Sequence, residues 1–200
     1  MGKLPLSPSP EDFWTLYSAR LLAEGQVTGC HQRYKHHPDW TPVAMKIAKD
    51  VCEKPKSKGG FGLKVQAEYM NIDLIAYERD GSNNWCMKVA FEHENMDNWD
   101  DELCKLCHVV CDLRVIATYF NFDSRRRSID KMLQKRIDKL KQGKELEDRM
   151  ARFPGARWLF IIGPRCRCES EPYRAFTTDA DHRIMDITHT GSRLVPAEWA

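Results

Sequence analysis

The spacing of apolar residues divides the chain into helical and extended stretches. Phe13, Leu16, Tyr17 and Leu21 recur at helical spacing behind Ser9-Pro10-Glu11-Asp12, with Ser9 as N-cap, Pro10 at the first helical position and acids in the first turn. Residues 25–39 are polar and rich in glycine and histidine, and read as loop. Thr41-Pro42 opens a second helix by the same device, with Val43, Ile47 and Val51 on one face and Pro55 closing it. Residues 54–60 form a basic, flexible connector. The pattern then changes to that of strands, over about residues 63–69, 72–77 and 85–95. A two-residue turn at Met70-Asn71 joins the first two, so that Tyr69 pairs with Ile72 and Glu68 lies opposite Asp73. Residues 80–84 supply the next turn.

Acids at 97–102 start a helix whose stripe is Leu103, Leu106, Cys107 and Val110. Residues 113–120 are β-branched and aromatic, a strand set parallel to 85–95 through a right-handed crossover. Residues 124–152 read as a long charged helix with Ile129, Leu133, Ile137 and Leu140 inward. Strands follow at 157–163, 173–178 and 183–188. Together these predict one α/β domain over residues 1–200, a mixed sheet flanked by helices.

Three carboxylates border the apolar strand runs: Asp73, Glu92 and Glu94. Alternation sends Glu92 and Glu94 to one side and His93 to the other, and a neighbouring strand bearing Asp73 brings all three together. Glu68 would add a fourth. Carboxylates gathered at one end of a sheet repel one another and call for a positive counter-charge. A hard divalent cation, Mg²⁺ or Mn²⁺, meets that need with oxygen ligands and few protein groups.

Net charge is +2, which does not itself mark a nucleic-acid binder, but the charges are segregated. Residues 78–112 hold nine acids against Arg79, Lys88 and Lys105, whereas residues 125–149 hold ten basic residues against five acids. Arg125, Arg126, Arg127, Lys131, Lys135, Arg136, Lys139 and Lys141 make either a phosphate-binding surface or a solvated helix with internal ion pairs, such as Asp138 with Gln142 and Lys135 nearby. No apolar run is long enough for a bilayer, residues 1–10 lack a secretory apolar region, and Leu6 stands where myristoylation wants Ser or Thr. A soluble cytoplasmic protein without a membrane partner is expected.

Eight cysteines are too few for a disulfide scaffold at this length, so reduced thiols are expected. Cys104-Lys105-Leu106-Cys107-His108 matches a haem-attachment spacing inside a predicted core helix. Cys104, Cys107 and Cys111, with Cys166 and Cys168, are alternatively zinc or iron-sulfur ligands, and buried hydrophobic thiols are the commoner outcome. Cys30, His31, His36, His37 and Asp39 form an irregularly spaced cluster that reads as solvated loop.

From about Thr41 to Phe120 the order helix, three strands, helix, strand resembles the core of the PD-(D/E)XK nuclease superfamily. Asp73, preceded by Asn71-Ile72, matches the acid of the second core strand and Glu92 that of the third. Glu94 stands where lysine is usual, resembling the Glu-x-Glu form of some restriction endonucleases. The resemblance implies a restriction-endonuclease-like fold and a Mg²⁺- or Mn²⁺-dependent endonuclease acting on DNA, with Asp73, Glu92 and Glu94 holding metal. It also implies a main-chain carbonyl ligand at His93, and a lysine supplied from elsewhere, Lys88 or Lys105. Restriction-like enzymes of this size often act as homodimers. The missing motif lysine equally suits a non-catalytic binding or regulatory module on the same core.

Overall fold

A computed structural model describes residues 7–28, 40–94, 99–120, 129–142, 157–164 and 173–190. Helix α1 (Pro10–Thr28) begins where Ser9 Oγ accepts the Asp12 N–H at 2.9 Å, the expected cap. It runs through Gly25, further than the loop expected from residue 25 onward. Helix α2 (Trp40–Glu53) starts just before Thr41, within the usual scatter of helix boundaries.

The connector that composition marks as flexible is an ordered turn. It contains a short 3₁₀ segment, Lys56–Lys58, and returns Phe61 and Leu63 N–H groups to the Val51 and Cys52 carbonyls at 3.0 and 2.8 Å. These bonds satisfy carbonyls at the α2 terminus that have no partner within the helix. A Cβ at Gly60 would stand 2.1 Å from the Lys54 carbonyl oxygen, so only glycine fits this close return.

Strands β1 (Lys64–Tyr69), β2 (Ile72–Arg79) and β3 (Trp85–Glu94) form an antiparallel meander. Tyr69 pairs with Ile72 as expected, and positive φ at both Met70 and Asn71 makes their turn type I′. Helix α3 (Asp100–Cys107) then leads to β4 (Leu113–Phe120), parallel to β3. Val110 lies past the end of α3 and is 56% exposed, so it does not extend the apolar stripe. Helix α4 (Ile129–Gln142) leads to β5 (Arg157–Pro164), parallel to β4. Antiparallel β6 (Arg174–Thr178) and β7 (Ile184–Asp186) complete the sheet.

The seven described strands lie in sequence order from β1 to β7, and the described helices cover both faces. Phe13, Tyr17, Ile47 and Val51 of α1 and α2 pack with Leu74, Val89, Phe91 and Val115 on one side. Leu103, Leu106, Leu133 and Ile137 of α3 and α4 pack with Ile75, Ala90, Ile116 and Phe160 on the other. Burial on both faces explains the near-continuous apolar runs of the central strands. No helix among the described residues is long and apolar enough to cross a membrane.

Candidate carboxylate site at the carboxyl end of the third strand

Strand β3 passes from the apolar run Val89-Ala90-Phe91 into Glu92-His93-Glu94, so the acids sit at its carboxyl end beside the carboxyl end of β4. In sheets with parallel strands that end is where ligand crevices form. Alternation places His93 on the α2 side, where its Nδ1 lies 3.1 Å from Thr41 Oγ1, and Glu92 on the α3 side.

The pairing of Leu74 with Phe91 brings Asp73 and Glu92 across from one another. Asp73 Oδ2 accepts the His93 N–H at 2.8 Å, and Glu92 Oε2 accepts the Asp73 N–H at 3.4 Å. Each carboxylate is therefore fixed by the opposing backbone. Glu94, half-buried, ends β3 in register with Thr118, whose Oγ1 is buried without a hydrogen-bond partner.

Lys105 reaches this corner from α3. Its Nζ stands 2.7 Å from Glu92 Oε1, donates to the Asn71 carbonyl at 2.6 Å, and pairs with Glu102 one turn earlier on the same helix. The ammonium that meets Glu92 thus comes from a helix and not from the strand that carries the acid. Burial works against the Lys105 charge, but the bonds to Glu102 and Glu92 outweigh it and raise its pKa. Burial pushes the Glu92 carboxyl up to about 8, the Lys105 bond opposes this, and the charges of Asp73 and Glu102 add to the rise.

That shift fixes a sign. Between the unfolded value near 4.5 and the folded value of about 8, the native state binds a proton that the unfolded chain releases, so stability falls as pH rises through this window. In EDTA, Glu92→Gln is expected to melt higher than the wild type above about pH 8, with the difference closing only below about pH 4. Parallel melting curves as a function of pH check this; a constant offset would remove Glu92 as the titrating group.

The other predicted residues fall elsewhere. Glu68 falls between the pairs Ala67–Leu74 and Tyr69–Ile72 of the β1–β2 ladder, where its φ of +52° interrupts the pairing, and it is exposed rather than gathered with Asp73. Lys88 occupies a bulge between the pairs Ala76–Val89 and Tyr77–Met87, which breaks the alternation and turns it to Glu78 and Asp112 at 3.0 and 3.1 Å. It does not share the Glu92 face as the strand period predicts. Lys131 and Lys135 are exposed on α4, while Arg125, Arg126, Arg127 and residues 143–152 lie outside the described residues. Three further basic residues of α4 are engaged within the fold. Arg136 pairs with Asp100 and covers the Trp99 ring at 4.2 Å, Lys139 lies 3.5 Å from Asp100, and Lys141 donates to the Asp181 carbonyl. Within the helix the Asp138 partner is Gln134, at 3.0 Å.

Cys107 and Cys111 are buried and free, Cys104 is free and exposed, and burial raises all three thiols. Cys30, Cys166, Cys168 and the histidine cluster with Asp39 lie outside the described residues. No protein-family model and no curated protein matches this chain.

Among the described residues, no three histidine, cysteine, aspartate or glutamate side chains stand close enough together to hold a metal ion. A closed protein cage is thus absent there, but Mg²⁺ is commonly held by one or two carboxylates with water and substrate phosphate. Asp73 and Glu92 fit that smaller set in kind, as adjacent hard-oxygen donors in a partly buried corner of excess negative charge. Sequence reasoning missed Glu102 and Thr118. The first reads as a helix-start acid and the second as an ordinary strand residue, so only the fold reveals their proximity to the acids of β3.

Proposed function

We propose that this corner hydrolyses phosphodiesters of DNA as a Mg²⁺- or Mn²⁺-dependent endonuclease with a restriction-endonuclease-like core. The observation that carries the reading is the pair Asp73 and Glu92 on adjacent strands with Lys105 at 2.7 Å from Glu92, within the element order helix, three strands, helix, strand. Asp73 and Glu92 would hold the ion, with Glu94, the residue at the end of the same strand, as general base. Bound there, the ion supplies Lewis-acid polarisation of the phosphate and a water acidified for attack. Lys105, 2.7 Å from Glu92, presents an ammonium toward the phosphate. Lys131 and Lys135, with Arg125 to Arg127, are the proposed contacts to the DNA backbone.

A competing reading is a nucleic-acid-binding or regulatory module without turnover. It is favoured by Lys105 itself, which supplies positive charge between Glu92 and Glu102 with no cation required. The deciding experiment is incubation of circular and linear duplex DNA, single-stranded DNA and RNA with the protein in Mg²⁺, Mn²⁺ or EDTA. Metal-dependent cutting that Lys105→Met lowers about a hundredfold is the expected result, in the range of a positioned acid-base group. No cutting of any substrate with either metal would overturn the hydrolytic reading and leave the binding module.

A further inference from the structure

The helices on the Glu92 side of the sheet, α3 and α4, are centred on β3, β4 and β7 and reach Ile75 of β2 and Phe160 of β5. The same face of the β1–β2 hairpin and the start of β3 instead carries an aromatic group. Trp85 stacks on Tyr77 with ring centroids 4.2 Å apart and planes 8° from parallel, and Tyr69 leans on Trp85 at 5.6 Å. Trp85 remains 42% exposed, so the stack ends at the surface rather than in core. Two cations border it. The Arg79 guanidinium lies 6.0 Å from the Trp85 ring centre and is tethered at 2.7 Å by Asn83, a neutral partner that leaves its charge uncompensated. Lys64 is exposed and pairs in register with Tyr77.

An exposed indole backed by a parallel, half-buried tyrosine and flanked by unneutralised cations matches the chemistry of an unpaired nucleotide, a flat π-face with an adjoining phosphate. A duplex buries its base faces in its own stack and cannot offer one to Trp85. Trp85 pairs with Arg79 at the other end of β2 from Asp73, and Tyr69, which leans on Trp85 and pairs with Ile72, connects the stack to the carboxylate corner. We propose that Trp85, on Tyr77 and beside Arg79 and Lys64, stacks an unpaired base of single-stranded nucleic acid whose backbone continues toward Asp73. This deepens the proposed function and rests on it for the direction of the strand.

The test is anisotropy of labelled single-stranded DNA, single-stranded RNA and duplex DNA with the full chain in EDTA, where cutting does not intervene. Trp85→Ala is expected to weaken binding of at least one single strand about tenfold, Trp85→Phe to retain it, and duplex binding to stay unchanged. Single-strand binding by Trp85→Ala equal to wild type would overturn the platform, as would equal loss on single strand and duplex or absence of single-strand binding. Parallel cleavage assays in metal separate the two ideas. Trp85-dependent binding without cutting removes only hydrolysis, and cutting with Trp85-independent binding removes only the platform.

Discussion

Replacing Asp73 by asparagine is expected to lower metal-dependent DNA cleavage about a thousandfold while moving the melting temperature by no more than about 2 °C. The asymmetry follows from what the side chain does. Asp73 Oδ2 accepts the His93 N–H at 2.8 Å, and the amide oxygen of asparagine can accept the same bond, so the β2–β3 junction keeps its shape. The negative charge, needed to hold a cation, is lost. Several kcal/mol of transition-state stabilisation correspond to about three powers of ten in rate. Two measurements keep fold and chemistry apart: the melting temperature, and Mn²⁺ binding followed by its paramagnetic resonance signal. Wild-type cutting by the variant, or undiminished Mn²⁺ binding, would take Asp73 out of the site.

Much of this corner follows from local rules. The alternation around Phe91 separates Glu92 from His93, and the antiparallel β2–β3 pairing beyond the turn at residues 80–84 aligns Asp73 with Glu92. The failures occur where a local period is broken or a partner is distant. Lys88 leaves the expected face because one extra residue bulges β3, an event no spacing rule locates. Arg136, Lys139 and Lys141 belong to a basic run, but a charge run does not reveal that Asp100 and Asp181 lie across from it. Lys105 is a surface lysine by helical pattern, and the acid that it meets is on a different element.

Arg114 extends the same lesson to stability. A charged residue within a strand should face water, yet Arg114 is 2% exposed and lies over the Trp158 ring at 5.3 Å. Its Nε donates to the Leu106 carbonyl at 2.8 Å and its Nη2 to the Val109 carbonyl at 2.9 Å, so it caps the end of α3 from the neighbouring strand. Truncation would leave those carbonyls without that donor and open a void against Trp158. Arg114→Ala is therefore expected to destabilise by about 3 kcal/mol and lower the melting temperature by about 6–12 °C. Arg114→Lys should recover only part, since an ammonium lacks the planar fork that serves two carbonyls and stacks on an indole. Because α3 carries Lys105 and Glu102, loosening its end should also weaken the Lys105–Glu92 pair, seen as faster hydrogen exchange along residues 100–107 than in the core strand β5. A melting temperature within about 2 °C of wild type for Arg114→Ala would show that water replaces the guanidinium and that the buried charge does not fasten α3.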